Sequence, residues 1–398
     1  GPDSSIYVIA GNHTDLPKMD SYLLPSNYKH DNLFPHIVDP QGHATDRTEP
    51  GGWIAKTDSL GSKWELVSAG FRNPFDIAFN DVGELFTYDS DMEWDFGMPW
   101  YRPTRICHVT SGAEFGWRTG NGKWSPRYPD NVPAMLNIGQ GSPTNLVYAS
   151  KALFPDKYRN SLLAFDWSFG IIYTVQMEAK GATYEAHAEE FLSGSPLALT
   201  DGEIGPDGAL YFLTGGRRLE SDLYRVYHKD YKNIKAANET PKNLMSDDIQ
   251  LRRDIEKYHR LSPAGTAERV WEYLGHEDRR IRYAARIAIE HQPVDSWKDL
   301  VFKERNVVRL TEAMLALARN GDASLEPQMM RKLATIDVKA LPIAMKENLL
   351  RVYEVIIARM GVPSDEDRLQ LLAKLTDFYP SNNNMLDREL TKILVRLG

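Results

Sequence analysis

The chain has 398 residues, room for two or three domains of ordinary size with cores that need no covalent staples. Its single cysteine, Cys107, excludes an intrachain disulfide and the paired-cysteine spacings of structural zinc and attached haem. A formal net charge of -8 argues against a broad nucleic-acid-binding face, and no apolar run approaches the roughly 18 residues of a membrane-spanning helix.

Composition divides the chain near Tyr227-His228-Lys229-Asp230-Tyr231-Lys232. Before residue 231 lie 23 of the 28 glycines and 7 of the 9 tryptophans, which predicts β-sheet with long loops. The first strand follows a turn, Gly1-Pro2-Asp3-Ser4-Ser5-Ile6-Tyr7-Val8-Ile9-Ala10-Gly11, and this segment returns as Gly205-Pro206-Asp207-Gly208-Ala209-Leu210-Tyr211-Phe212-Leu213-Thr214-Gly215. A weaker copy is Asn80-Asp81-Val82-Gly83-Glu84-Leu85-Phe86-Thr87-Tyr88-Asp89, and a further strand pair spans Asn160 to Trp167 and Gly170 to Val175. A turn-plus-strand unit recurring every 60–80 residues predicts a β-propeller, with a β-sandwich of similar hairpins as the alternative. About three and a half units fit before residue 231, fewer than a closed ring needs, so the propeller is expected to be incomplete and to open in mid-blade.

After the charged stretch 228–250, helical periodicity takes over. Helices are predicted at about 244–260, 265–274, 275–289, 293–303, 305–319, 325–335, 341–360, 364–378 and 383–397. In the third, Asp278 is the cap and Ile281, Ala284, Ala285 and Ala288 form the apolar stripe. Antiparallel pairs joined by short turns predict an all-α HEAT-like solenoid. The charged stretch Arg279 to Arg286 is read as a solvated face. The expected division is a partial propeller over 1–228, a linker over 229–245 and the solenoid over 246–398.

Three stretches carry a resemblance. They are Gly70-Phe71-Arg72-Asn73-Pro74-Phe75-Asp76-Ile77-Ala78-Phe79, Tyr88-Asp89-Ser90-Asp91, and Arg102 to Arg118 with its Ser111-Gly112-Ala113-Glu114-Phe115-Gly116-Trp117 core. With the Gly205 to Arg225 unit, the first 230 residues resemble the soluble quinoprotein glucose/sorbosone dehydrogenase-like six-bladed propellers. In particular they resemble the large bacterial membrane-bound-dehydrogenase proteins, in which the propeller precedes helical repeats and often a cytochrome c domain. The resemblance implies an extracytoplasmic oxidoreductase that oxidises a sugar or sugar-derived alcohol through pyrroloquinoline quinone (PQQ) and passes electrons to cytochrome c. It also implies that Arg72 and Asn73 contact the quinone, whose three carboxylates suit an Arg fork.

Arg217 is a further candidate for the quinone, against an exposed pair with Arg218 at the domain junction. The acidic run Asp89-Ser90-Asp91-Met92-Glu93-Trp94-Asp95 offers hard oxygen ligands, and Asp89, Asp91 and Asp95 are the candidate calcium ligands. The alternative is a solvated loop or pairing with Arg102 and Arg105. Trp94 and Trp100 are candidate sugar platforms, the other tryptophans packing between blades. The family's basic histidine precedes the Gly-Pro-Asp-Gly turn and has no counterpart here. His13 and His43 are therefore only weak stand-ins, and the chain alone is expected to be inactive. Two other readings stay open: a non-catalytic propeller and solenoid scaffold binding carbohydrate or protein, and a calcium-dependent lactonase using Asn145 and Asp201.

Overall fold

The computed structural model describes residues 1–29, 31–37, 42, 45–47, 50–90, 103–120, 122–216, 218–234 and 242–398. Seventeen strands form four main antiparallel sheets and a two-stranded ribbon among these residues. The first sheet contains β1 (Ile6–Ala10), β2 (Ser21–Tyr22), β3 (Gly52–Thr57) and β4 (Trp64–Phe71), in the order β1-β3-β4-β2; only β2 runs parallel to its neighbour. The second contains β5 (Asn73–Phe79), β6 (Leu85–Ser90), β7 (Thr104–Val109) and, after the ribbon β8 (Trp117–Arg118) and β9 (Gly122–Lys123), β10 (Leu136–Gly139). The third is a meander of β11 (Pro143–Tyr148), β12 (Ser161–Asp166), β13 (Ile171–Lys180) and β14 (Thr183–Ser193), with the short helix α1 (Asp156–Arg159) between its first two strands. The fourth has β15 (Leu199–Ile204), β16 (Leu210–Thr214) and β17 (Leu223–Val226).

The sheets stack face to face in chain order, as propeller blades do. Alternation explains how. On β12, Leu162 and Ala164 enter the layer shared with Phe86, Tyr88 and Ile106 of the second sheet. Their neighbours Leu163 and Phe165 enter the layer shared with Leu199, Leu210 and Phe212 of the fourth. A strand buried on both sides reads as a continuous apolar run. The first strands β1, β5, β11 and β15 lie side by side, which makes them the inner strands of the stack.

The repeated turn is structurally the same in its two best copies. Ser4 N–H donates to Gly1 O (3.1 Å), and Gly208 N–H to Gly205 O (2.9 Å). Ser4 and Gly208 both have positive φ, 62° and 74°. Tyr7 and Tyr211 donate to Asp3 and Asp207 at 3.2 and 3.0 Å, and a cation, Lys56 or Arg225, reaches the same carboxylate. A Cβ on Gly1 or Gly205 would strike the tyrosine ring, which is why glycine opens the unit.

The helices fall close to their predicted places. They are α2 (Asp247–Glu256), α3 (Thr266–Val270), α4 (Arg279–Glu290), α5 (Lys298–Lys303), α6 (Val307–Asn320), α7 (Glu326–Ala334), α8 (Ile343–Met360), α9 (Asp365–Thr376) and α10 (Asn384–Leu397). Asp278 caps α4 by accepting from Arg280 N–H, and Ile281, Ala284, Ala285 and Ala288 are buried as the stripe requires. Helices α4, α6, α8 and α10 pack in succession. The end of the expected linker is docked: Leu244 is fully buried, Tyr184 donates to its carbonyl (2.8 Å), and Ser246 donates to Gly181 O (2.6 Å).

The Arg279 to Arg286 face is not solvated. Arg279 donates to the carbonyls of Pro126, Tyr128 and Asn131, and Arg280 to that of Pro133. Arg286 is 1% exposed and pairs with Glu290. The helix turns this face onto the sheets, where main-chain carbonyls and internal carboxylates replace water. The same interface continues through Arg319 to Asp31, Arg351 to Asp130, and Tyr128 to Glu389.

Candidate functional site

The Arg72-Asn73-Pro74 stretch starts β5, the inner strand of the second sheet. Its geometry is set by one carboxylate. Asp89 Oδ1 accepts from the main-chain N–H of Arg72 (3.1 Å) and of Asn73 (3.0 Å). Asp89 Oδ2 accepts from Arg105 Nε at 3.0 Å and lies 2.9 Å from its Nη2. Asp89 and Arg105 face each other across β6 and β7, so strand register delivers the pair. On the other side, Arg72 O accepts from Asn12 N–H (2.8 Å), tying the turn to the end of β1. Asn73 is exposed and leans over Gly11, where a Cβ would lie 2.4 Å from Asn73 Oδ1. Arg72 is half-buried.

Asp89 therefore makes the pairing with Arg105 that stood as the alternative to calcium ligation. Both of its oxygens are engaged by protein donors, and a cation would compete with Arg105. The companion candidates Asp91 and Asp95, the sugar platforms Trp94 and Trp100, the second histidine His43, and Arg217 all lie outside the described residues. Among the described residues, no three His, Cys, Asp or Glu side chains are grouped to hold a metal ion. His13 is exposed on the loop after β1, next to the Asn12 that bonds Arg72.

The other resembling stretch is architectural. Glu114 fits where Gly70 leaves room: a Cβ there would lie 1.7 Å from Glu114 Oε1, and Gly70 has φ of +83°. Glu114 accepts from Gly116 N–H (2.8 Å) and takes both arms of Arg118 at 3.0 Å. Trp53, Trp117 and Trp124 are buried, and Arg118 lies 4.3 Å over the Trp124 ring. His108 is also internal: it sits between Glu84 and Thr183, and burial pushes its pKa down to about 4.

The structure brings Asn145 and Asp201, the residues of the lactonase alternative, together and adds Asp76, which the sequence reading missed. Three inner strands each carry a register irregularity near their start, beside Asp76, Asn145 and Asp201. Asp76 has a left-handed φ of +60°, and its carbonyl accepts from Thr87 Oγ1 (2.7 Å). Its carboxylate accepts from Leu146 N–H (3.2 Å) on β11; burial, with Asp201 and Glu203 nearby, pushes its pKa up. Asn145 Nδ2 lies 2.5 Å from Asp201 Oδ1 and 2.8 Å from Gly202 O. Laying Pro74-Phe75-Asp76 beside Pro143-Thr144-Asn145 would have exposed this polar ring in the sequence.

The sequence matches no family model and no curated protein. Among solved structures, it is similar to a Thermus thermophilus oxidoreductase described as a glucose dehydrogenase, with 19% identity, a TM-score of 0.39, and coverage of 56% of this chain and 62% of that one. It is also similar to the PQQ-bound aldose sugar dehydrogenase of Streptomyces coelicolor, with 16% identity, a TM-score of 0.37, and coverage of 56% and 59%. A third structure, described as a glucose dehydrogenase, has 16% identity, a TM-score of 0.37, and coverage of 49% and 64%. The chain spans about 60% of the length of these structures. Similarity this low assigns neither a family nor an activity to this chain.

Proposed function

We propose that the chain is part of a PQQ-dependent sugar or alcohol dehydrogenase of propeller type, with the quinone held at the Arg72-Asn73 turn. The observation that carries this reading is the Asp89 anchor. It fixes both main-chain amides of the turn and leaves the Asn73 side chain exposed at the end of an inner strand. The donor set suits the group: a guanidinium for a carboxylate, and a neutral amide for a quinone oxygen. When bound, the quinone supplies the hydride acceptor for alcohol oxidation. This chain's own part is to bind and orient it. Calcium is not assigned, because the described candidate ligand, Asp89, is already committed.

In this reading the helical region is a HEAT-like array, the protein works outside the cytoplasm, and its electrons pass to a cytochrome c. The test is calorimetric titration of PQQ into the folded chain. Stoichiometric binding that falls at least tenfold in Arg72→Ala supports the reading. Absence of saturable binding, or equal binding by the variant, overturns it.

One observation favours a second reading, a calcium-dependent lactonase. Asn145, 1% exposed, is paired with Asp201 across two inner strands, beside Asp76. Its Oδ1 has no hydrogen-bond partner among the described residues, although it is Nδ2 that faces Asp201. Calcium-stimulated lactone hydrolysis that is lost in Asp201→Asn, with no PQQ binding, would select this reading.

A further inference from the structure

A cleft of about 450 Å³ lies between the loop carrying Arg127 and Pro129 and the helices α4, α6 and α8, far in sequence from the Arg72 turn. Its chemistry comes from Arg127, Arg279, Arg282, Glu312, Glu347 and Asn348, with Ile343 as an apolar wall. The volume falls within the range of small-ligand sites.

The charges are unevenly paired. Arg127 is half exposed and spends Nη1 on Glu347 at 2.6 Å. Arg279 is held by three main-chain carbonyls at 2.7 to 2.9 Å and makes no ion pair with a carboxylate among the described residues. Arg282 donates Nη1 to His276 O (2.6 Å) and Glu277 O (2.9 Å), and its Nε reaches Glu312 only at 3.4 Å. Its Nη2 makes no hydrogen bond among the described residues. Glu312 is 4% exposed and is shared between Arg282 (3.4 Å) and Arg286 (3.6 Å). Burial pushes the Glu312 pKa up, against the pull of Arg286, Arg282 and Arg279. A cleft that carries Arg279 without a carboxylate partner, and spare N–H donors on Arg127 and Arg282, can take an oxyanion against the charges of Glu312 and Glu347.

We propose that this cleft binds a small molecule bearing a carboxylate or a phosphate, clamped by Arg127, Arg279 and Arg282 between the sheet region and the helices. The bound anion would accept from Arg282 Nη2 and from the free edge of Arg127. It would bridge α4 to the loop that Arg279 already holds. Ile343 would lie against the apolar part of the ligand.

The test is calorimetric titration of the whole chain with three separate probes: inorganic phosphate, gluconate and glucose. The expected result is saturable one-to-one binding of phosphate or gluconate, with the stronger of the two naming the anion class, and no saturable heat from glucose. Arg282→Gln should weaken the binding about tenfold or more, the scale of a lost charge-assisted fork. Ile343→Glu, at a position 48% exposed and so tolerant in folding, should abolish it by placing a like charge at the wall. The proposal fails if neither anion binds saturably at millimolar concentration. It also fails if glucose binds as well as gluconate, or if both variants bind like the wild type while circular dichroism shows them folded.

Discussion

The contact between Arg351 and Asp130 gives the sharpest test of how the two halves are joined. Both side chains are fully buried. Arg351 Nε and Nη2 reach Asp130 Oδ1 and Oδ2 at 3.0 and 2.7 Å, while Nη1 donates to Asp31 O (2.7 Å) and Glu354 Oε2 (3.0 Å). The guanidinium lies 4.3 Å over the Tyr128 ring and 4.7 Å over that of Trp124. Arg351 holds the Asp130 carboxylate low, at a pKa of about 2, against the burial that would raise it. Replacing Arg351 with Met keeps the volume but strands Asp130 without its bidentate partner. Breaking a buried pair on one side costs about 3–5 kcal/mol, whereas replacing both partners with apolar groups is often near neutral. Denaturant unfolding of wild type, Arg351→Met, Asp130→Leu and the double variant should therefore give large single costs and a double cost well below their sum. Refutation would be single costs under about 1 kcal/mol, or strict additivity, since either says the pair is not coupled.

Other predictions follow from single environments. Gly70→Ala places a Cβ against Glu114 at a left-handed φ and should cost several kcal/mol, or prevent folding, because strain and a broken Glu114–Arg118 pair combine. His259 is fully buried between Ser111 and the Ala284 carbonyl, and burial pushes its pKa down to about 3. Its folded pKa lies below the usual value near 6.5, so the stability it contributes is present above that value and declines as pH falls toward the folded one. Wild type should lose about 2 kcal/mol more than His259→Gln between pH 7 and pH 5 in paired urea melts. Parallel pH profiles would refute this. Asp89→Asn should both destabilise the second sheet by about 2–4 kcal/mol and lower PQQ affinity, since it weakens the Arg105 pair and the anchored amides together. Unchanged stability by denaturant titration would contradict that role.

Local chemistry was legible in the sequence. The Gly-Pro-Asp turn announced itself because its glycine, aspartate and tyrosine act within seven residues. The helices announced themselves because Ile281, Ala284, Ala285 and Ala288 follow one period. What the sequence left undecided was the partner of a charge. Arg279 to Arg286 has the same pattern whether the face meets water or main-chain carbonyls more than a hundred residues away. Asp89 belonged to an acidic run that suited either calcium or pairing with Arg102 and Arg105, and only the register of β6 and β7 decides for Arg105. Asn145 and Asp201 were named only as possible lactonase ligands and Asp76 was missed, because each stands at an irregularity of its own strand and only the stacking of the sheets brings them together.

The central claim is that the Arg72-Asn73 turn holds the quinone, and a crystal structure of the chain soaked with PQQ tests it most directly. The account predicts density for the cofactor with a carboxylate at Arg72 and a ring oxygen within hydrogen-bond distance of Asn73. Density bound elsewhere, or a bare turn at saturating PQQ, would contradict it.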